Sequence, residues 1–151
     1  MTKVTIITDG SCIGNPGPGA WACILRYGEQ TKELVGGHPA TTSNRMELSA
    51  TIEGLRALKT RCHVALVTDS QYVRNGITDW LPRWQARGWV SSSGKPVLNQ
   101  DLWCQLAELA QQHEVHWSWT PGHTGTNADQ ERAHNLAYRA AREQAAAFAA
   151  R

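Results

Sequence analysis

Val4-Thr5-Ile6-Ile7-Thr8-Asp9-Gly10-Ser11-Cys12 decides how the rest of the chain is read. Val4 to Ile7 is an apolar, β-branched run of the kind that forms a buried strand. Asp9 closes it. An ionised carboxylate beside a core is costly unless it is paired or bound to a metal. A simpler reading is a turn, since Asp-Gly after a strand is a hairpin signal. The choice depends on where the other carboxylates fall.

Outward from that strand, Gly14 to Gly19 is a turn-rich loop without the Gly-Lys-Ser/Thr ending of a phosphate loop. Strand one is read over 3–9, strand two from Ala20 to Tyr27 and strand three from Thr31 to Gly37. A helix follows from about Asn44 to Lys59, with Leu48, Ile52, Leu55 and Leu58 at helical spacing. His63 to Thr68 is strand four, and Asp69-Ser70-Gln71-Tyr72 opens a further helix. Trp80 to Arg87 and Asp101 to Gln112 read as helices, Val115 to Thr120 as strand five, and a last helix starts near Asp129. This order predicts one α/β domain over residues 1–151. Its sheet is five-stranded and mixed, with helices on both faces.

Composition narrows the class. With 41% hydrophobic and 19% charged residues in 151, the chain has the make-up of a globular protein. No apolar run is long enough to span a bilayer, and Met1-Thr2-Lys3 leads into a strand without a signal-peptide pattern. Four cysteines show neither paired nor zinc-type spacing, which points to reduced thiols and a cytoplasmic protein. The net charge of +2 is too small to demand a polyanion, although eleven of the fifteen basic residues are arginine, which suits phosphate.

Three acids sit where elements meet: Asp9 at the end of strand one, Glu47 in the first turn of the first helix, and Asp69 at the end of strand four. If strands one and four lie side by side and parallel, Asp9 and Asp69 share one edge and Glu47 can reach over it. Like charges so grouped repel. A hard cation such as Mg²⁺ removes that cost, and two such ions can drive phosphodiester hydrolysis. Structural readings compete. Asn44 and Glu47 have the spacing of a capping box, and Asp69 can cap the helix after it.

These residues belong to a wider set. Thr8-Asp9-Gly10-Ser11-Cys12, Gly14-Asn15-Pro16-Gly17-Pro18-Gly19, Thr42-Ser43-Asn44-Arg45-Met46-Glu47-Leu48, Thr68-Asp69-Ser70-Gln71-Tyr72-Val73 and Gly122-His123-Thr124-Gly125 closely resemble the bacterial type 1 ribonuclease H family, in order and spacing over nearly the whole chain. The resemblance implies a ribonuclease H-like fold with strands 1–3 antiparallel and strands 4 and 5 parallel to strand 1. It implies hydrolysis of the RNA strand of RNA/DNA hybrids with Mg²⁺ or Mn²⁺, leaving 5′-phosphate and 3′-hydroxyl ends. Asp9, Glu47 and Asp69 match three of the family's four acidic ligands, and His123 matches a loop histidine tied to proton transfer or product release. Cys12, Asn15, Ser43, Asn44 and Gln71 match positions lining the hybrid's minor groove, with Ser43 where the family mostly has Asn. Thr42 matches a DNA-phosphate contact. A monomer without an obligate protein partner and without membrane attachment is expected.

The chain departs from the family at the fourth acid. The pattern there reads Gln130-Glu131-Arg132-Ala133-His134-Asn135-Leu136-Ala137, with His134 at the Asp position. A loop one residue longer makes Asn135 a second candidate. Ala133, Leu136, Ala137, Ala140 and Ala141 form the core stripe of this helix. His134 borders that stripe, while Asn135 points nearly away from it. Ligand chemistry leans the other way, because an amide oxygen suits Mg²⁺ better than imidazole does. The expected outcome is an active enzyme with a weakened second metal site, shifted toward Mn²⁺; a hybrid-binding module that has lost catalysis and another nuclease of the same fold are the alternatives. Trp80, Arg83, Trp84 and Arg87 lie where such proteins carry a substrate-gripping arm. Tryptophans there would anchor it and arginines would face phosphate.

Overall fold

A computed structural model describes residues 1–120 and 128–149. Five strands, β1 (Thr2–Cys12), β2 (Gly17–Tyr27), β3 (Gln30–Thr41), β4 (Cys62–Thr68) and β5 (Glu114–Trp119), form one sheet in the order β3-β2-β1-β4-β5. β1, β2 and β3 pair antiparallel, and β4 and β5 run parallel to β1. The helices are α1 (Ser43–Arg56), α2 (Gln71–Asn75), α3 (Leu81–Ala86), α4 (Gln100–Gln111) and α5 (Ala128–Ala149), with a π-helical turn over Gly76–Trp80 between α2 and α3. The expected ribonuclease H-like topology is the one observed. No helix among the described residues is long and apolar enough to cross a membrane.

Period-two alternation along β1 divides the core between the two faces of the sheet. Val4 and Ile6 join Cys23, Leu25, Leu48, Ile52, Leu55, Val64 and Leu66 beneath α1 and α4. Ile7 joins Ile24 and Ala133 beneath α5. That second layer is thin because α5 buries alanines, Ala133, Ala137 and Ala141, at i, i+4 and i+8. Small side chains bring the helix close to the sheet, and Gly37 completes the fit: a Cβ there would meet the Gln144 side chain at 2.6 Å. Two ion pairs, Arg26–Asp129 and Arg132–Glu33, fasten the rim of α5.

Several boundaries differ from expectation, each for a non-local reason. β1 does not end at Asp9. Antiparallel pairing with β2 continues through Asp9↔Ala22 to Cys12↔Gly19, whereas the parallel ladder with β4 stops at Ile7↔Val67. β3 likewise runs past Gly37 to Thr41, held by β2. The helix expected from Trp80 starts earlier, as part of a nearly continuous run from Gln71 to Ala86. Its wide π turn precedes Pro82, which lacks an N–H and would clash with the preceding turn inside a regular helix.

The arm is fixed by aromatic packing. Trp103 is fully buried, and its ring lies 5.4 Å from both Tyr72 and Trp84. Trp84 in turn contacts Trp80 and Trp89 at 5.8 and 6.4 Å. Gly76 makes room for this: a Cβ would sit 2.0 Å from the Trp103 ring. Gly76→Ala is therefore expected to lower stability by about 1–3 kcal/mol through overpacking. Urea unfolding should show a lower midpoint at unchanged slope.

Candidate active site

The three acids meet where the β1–β4 ladder ends. Carboxylate oxygens of Asp9, Glu47 and Asp69 lie within 4.8 Å of one another. Asp9 is 3% exposed, and its Oδ1 accepts a hydrogen bond from the Gly10 amide at 2.9 Å. Gly10 also seats α1. A Cβ on it would lie 2.6 Å from the Glu47 amide nitrogen, so only glycine lets the helix approach closely enough to deliver Glu47. Asp69 follows β4 directly, outside any strand or helix. The Trp119 indole N–H donates to its carbonyl at 3.2 Å, and the Ser70 amide donates to Thr68 Oγ1 at 3.1 Å. The Arg74 guanidinium packs over Trp119, 4.9 Å from the ring centroid.

The structural readings of these acids give way. Asp9 is a paired strand residue, not part of a turn. The N-cap of α1 is Thr42, whose hydroxyl accepts from the Arg45 amide at 3.2 Å; Asn44 lies inside the helix, and Glu47 is too far along to close a capping box. The N-cap of α2 is Ser70, which accepts from the Val73 amide, leaving Asp69 outside that role.

Glu47 shows the strain of the cluster. Burial pushes its carboxyl well above the usual range, and the Asp9 charge, a hydrogen bond with Asp9 and the Asp69 charge add to the rise; the Gly10 amide opposes it. The residue as a whole is half-buried, yet its Oε2 is shut off from solvent and has no hydrogen-bond partner. A buried acceptor left unmatched among three carboxylates suits a hard divalent cation, which takes oxygen ligands. Of the two candidates for a fourth partner, the structure brings His134 to the cluster, with Nδ1 3.1 Å from Asp9 Oδ2. Asn135 is exposed and lines a groove with Arg132 and Arg139 on the outer flank of α5.

The proposed substrate contacts surround this edge. Asn15 Oδ1 accepts from the Ser43 amide at 3.1 Å, tying the loop after β1 to the start of α1. Asn44 and Gln71 are exposed at the first turns of α1 and α2. The Cys12 thiol is half-buried, 3.5 Å from the Gly17 and Thr41 carbonyls, and burial raises its pKa; it is poorly suited to act as a nucleophile. Trp80 and Trp84 face the arm's interior, whereas Arg83 and Arg87 are exposed beside them, Arg83 in contact with Asp79. Trp89 adopts φ 68°, rare for a bulky residue, and is held there by Trp84. His123 lies outside the described residues. The supports from Gly10, Trp119 and Arg74 were missed in the sequence. A glycine directly after a strand aspartate was the one available signal.

This fold and site define a nuclease class. The family model for RNase H matches residues 1–142. The chain is 56% identical over 144 residues to the Ribonuclease H of Solibacter usitatus, covering 95% of this chain and 98% of that one. It is 60% identical over 134 residues to the Ribonuclease H of Halorhodospira halophila, covering 89% of each. Among solved structures, LC9-RNase H1, a type 1 RNase H with the type 2 active-site motif, superposes with a TM-score of 0.86 at 34% identity, covering 95% of this chain and 74% of that chain. The chain belongs to the RNase H family. It is accordingly an enzyme, a ribonuclease of the H class.

The electrostatics of Glu47 carry a sign. Its pKa is higher in the folded than in the unfolded protein, so the folded state binds more protons and stability falls as pH rises above the ordinary carboxylate range. In EDTA, Glu47→Gln is expected to melt above wild type at neutral pH, with the difference closing in acid, where both forms are neutral. Adding Mg²⁺ should narrow the gap by stabilising wild type more strongly. Thermal melts across pH, with and without metal, provide the check.

Proposed function

We propose that this site hydrolyses the RNA strand of RNA/DNA hybrids to 5′-phosphate and 3′-hydroxyl ends, using two divalent cations, Mg²⁺ or Mn²⁺. The observation that carries the reading is the convergence of Asp9, Glu47 and Asp69 around the unmatched Glu47 Oε2, beside exposed short amides. Asp9, Glu47 and Asp69 would hold the metal. His134 would complete a second, weaker position, since imidazole is a poorer ligand than carboxylate for such ions. When bound, the cations supply charge stabilisation at the phosphoryl oxygens and acidify the attacking water.

The chain's own residues select the substrate. A hybrid close to A-form presents a wide, shallow minor groove with 2′-hydroxyls on one strand only. Asn15, Asn44 and Gln71 have the reach and the paired donor and acceptor of an amide to contact that groove without base preference. Thr42, as the cap of α1, is proposed to steady a DNA phosphate, with Cys12 and Ser43 alongside. His123 is assigned proton transfer or product release through the family resemblance. The arm, stiffened by its tryptophans, offers Arg83 and Arg87 to the DNA backbone.

The decisive assay incubates RNA/DNA hybrid, duplex DNA and duplex RNA with Mg²⁺, Mn²⁺ or EDTA. Hybrid alone should be cut, and only with metal; no hybrid cleavage with either ion overturns the reading. Asp9→Asn should abolish cleavage while sparing hybrid binding, and His134→Asp should raise activity with Mg²⁺ relative to Mn²⁺.

Arg83 is already engaged by Asp79, whereas Arg87 has no carboxylate partner among the described residues. Arg87→Ala is therefore expected to raise KM more than Arg83→Ala does, with kcat little changed in both. Equal effects in steady-state assays would show that the ion pair does not tune the arm.

A further inference from the structure

One flank of α5 carries a column of side chains that hydrolysis, beyond the role proposed for His134, does not account for. It starts at His134, beside Asp9, and continues at i+4 and i+8 with Tyr138 and Arg142. The His134 and Tyr138 rings are inclined by 21° with centroids 6.2 Å apart, and the Arg142 guanidinium lies 5.8 Å from the Tyr138 centroid. Tyr138 is 46% exposed, one of the few large apolar side chains left open to water. Beside it runs a groove of about 500 Å³ lined by Arg132, Asn135, Tyr138, Arg139, Arg142 and Glu143. Arg132 is held by Glu33 through two hydrogen bonds. Arg139 and Arg142 have no carboxylate partner among the described residues. Apart from Arg132, which fastens α5 to β3, these side chains do not hold the helix to the sheet, which it meets through Ala133, Ala137 and Ala141.

A half-exposed aromatic ring beside guanidiniums that have no carboxylate partner among the described residues is the chemistry that binds single-stranded nucleic acid. The ring stacks on a base and the cations take phosphates. At a rise of about 1.5 Å per residue, the column leads roughly 12 Å away from His134, enough for a few nucleotides. It begins beside the carboxylates proposed to hold the metal at the scissile phosphate, so the strand that meets it is the one being cut. We infer that the outer face of α5 binds a single-stranded extension of the cleaved RNA strand, with a base on Tyr138 and phosphates on Arg139 and Arg142. The inference rests on the proposed hydrolysis of hybrids and adds a preference for RNA ends or gaps next to the duplex.

The test has a binding arm and a kinetic arm, both with the full chain. In EDTA, anisotropy of a short labelled single-stranded RNA should show Tyr138→Ala binding about fivefold or more weakly than wild type, the lower range for loss of a base–aromatic stack. Arg139→Gln with Arg142→Gln should flatten the slope of log K against log salt by about 1.4, or 0.7 for each of two phosphates. In the kinetic arm, wild type should have a lower KM on hybrids whose RNA strand is extended than on blunt hybrids. The arginine double variant should lose that gain while cutting blunt hybrids as wild type does. Unchanged binding in the variants, an equal gain from extending the DNA strand, or displacement of the RNA by polyglutamate at matching concentration each overturns the inference. Failure of wild type to cut blunt hybrids, with the binding arm behaving as expected, counts against the hydrolytic reading instead.

Discussion

Three carboxylates held within 4.8 Å of one another, one of them with a fully buried oxygen, are the constraint that the rest of the structure serves. Like charges separate unless the backbone forbids it. Here the backbone forbids it from three directions. β2 keeps β1 straight through Asp9 after β4 has stopped, so Asp9 is fixed on one side and open on the other. β4 hands over directly to Asp69, whose carbonyl is held by Trp119. α1 rests on the bare backbone of Gly10 and brings Glu47 from the opposite side. The repulsion is an unfavourable term that the folded chain carries until a cation offsets it, and this is the sense in which the site is prepared for metal.

The two faces of the sheet divide the work unequally. The face under α1 and α4 holds the large side chains and most of the hydrophobic stabilisation. α5 meets Ile7, Ile24 and Val67 through an alanine stripe, so burial there contributes less, and rim ion pairs of the surface type add only modestly. What α5 gains is proximity. Alanines let the helix lie close enough for His134 to touch Asp9 and for the Gln130 amide to donate to the buried Thr8 carbonyl at 3.1 Å. A bulkier stripe would stabilise more and move both residues away from the site.

Much of this was legible in the sequence because it is periodic. The alternation in β1, the helical spacing of Leu48, Ile52 and Leu55, and the order of elements all follow from local rules, and the family motifs supplied the topology. The alanine stripe of α5 also places His134 and Asn135 on different flanks, since successive residues turn by about 100° on a helix. What was not legible depends on partners distant in sequence. Asp-Gly reads as a break in isolation, yet β2 carries the strand three residues further. Asn44 with Glu47 imitates a capping box, but Thr42 is the residue in extended conformation and takes the cap. The π turn at Gly76 and the left-handed Trp89 answer to the rings of Trp103 and Trp84, which no local pattern announces.

The placement of the tryptophans has an optical consequence. Of the seven tryptophans, Trp21, Trp84, Trp89, Trp103 and Trp117 belong to the core under α1 and α4, Trp80 stacks within the same aromatic group, and Trp119 at the end of β5 donates to the Asp69 carbonyl. α5 contains no tryptophan, and neither does the thin layer beneath it. Intrinsic fluorescence is therefore a one-sided gauge of this molecule. It records the arm and the large core, and it is blind to α5 lifting from the sheet, the motion that would separate His134 from Asp9. Circular dichroism complements it where α5 unwinds, since the helical signal of its 22 residues would then fall while the fluorescence held.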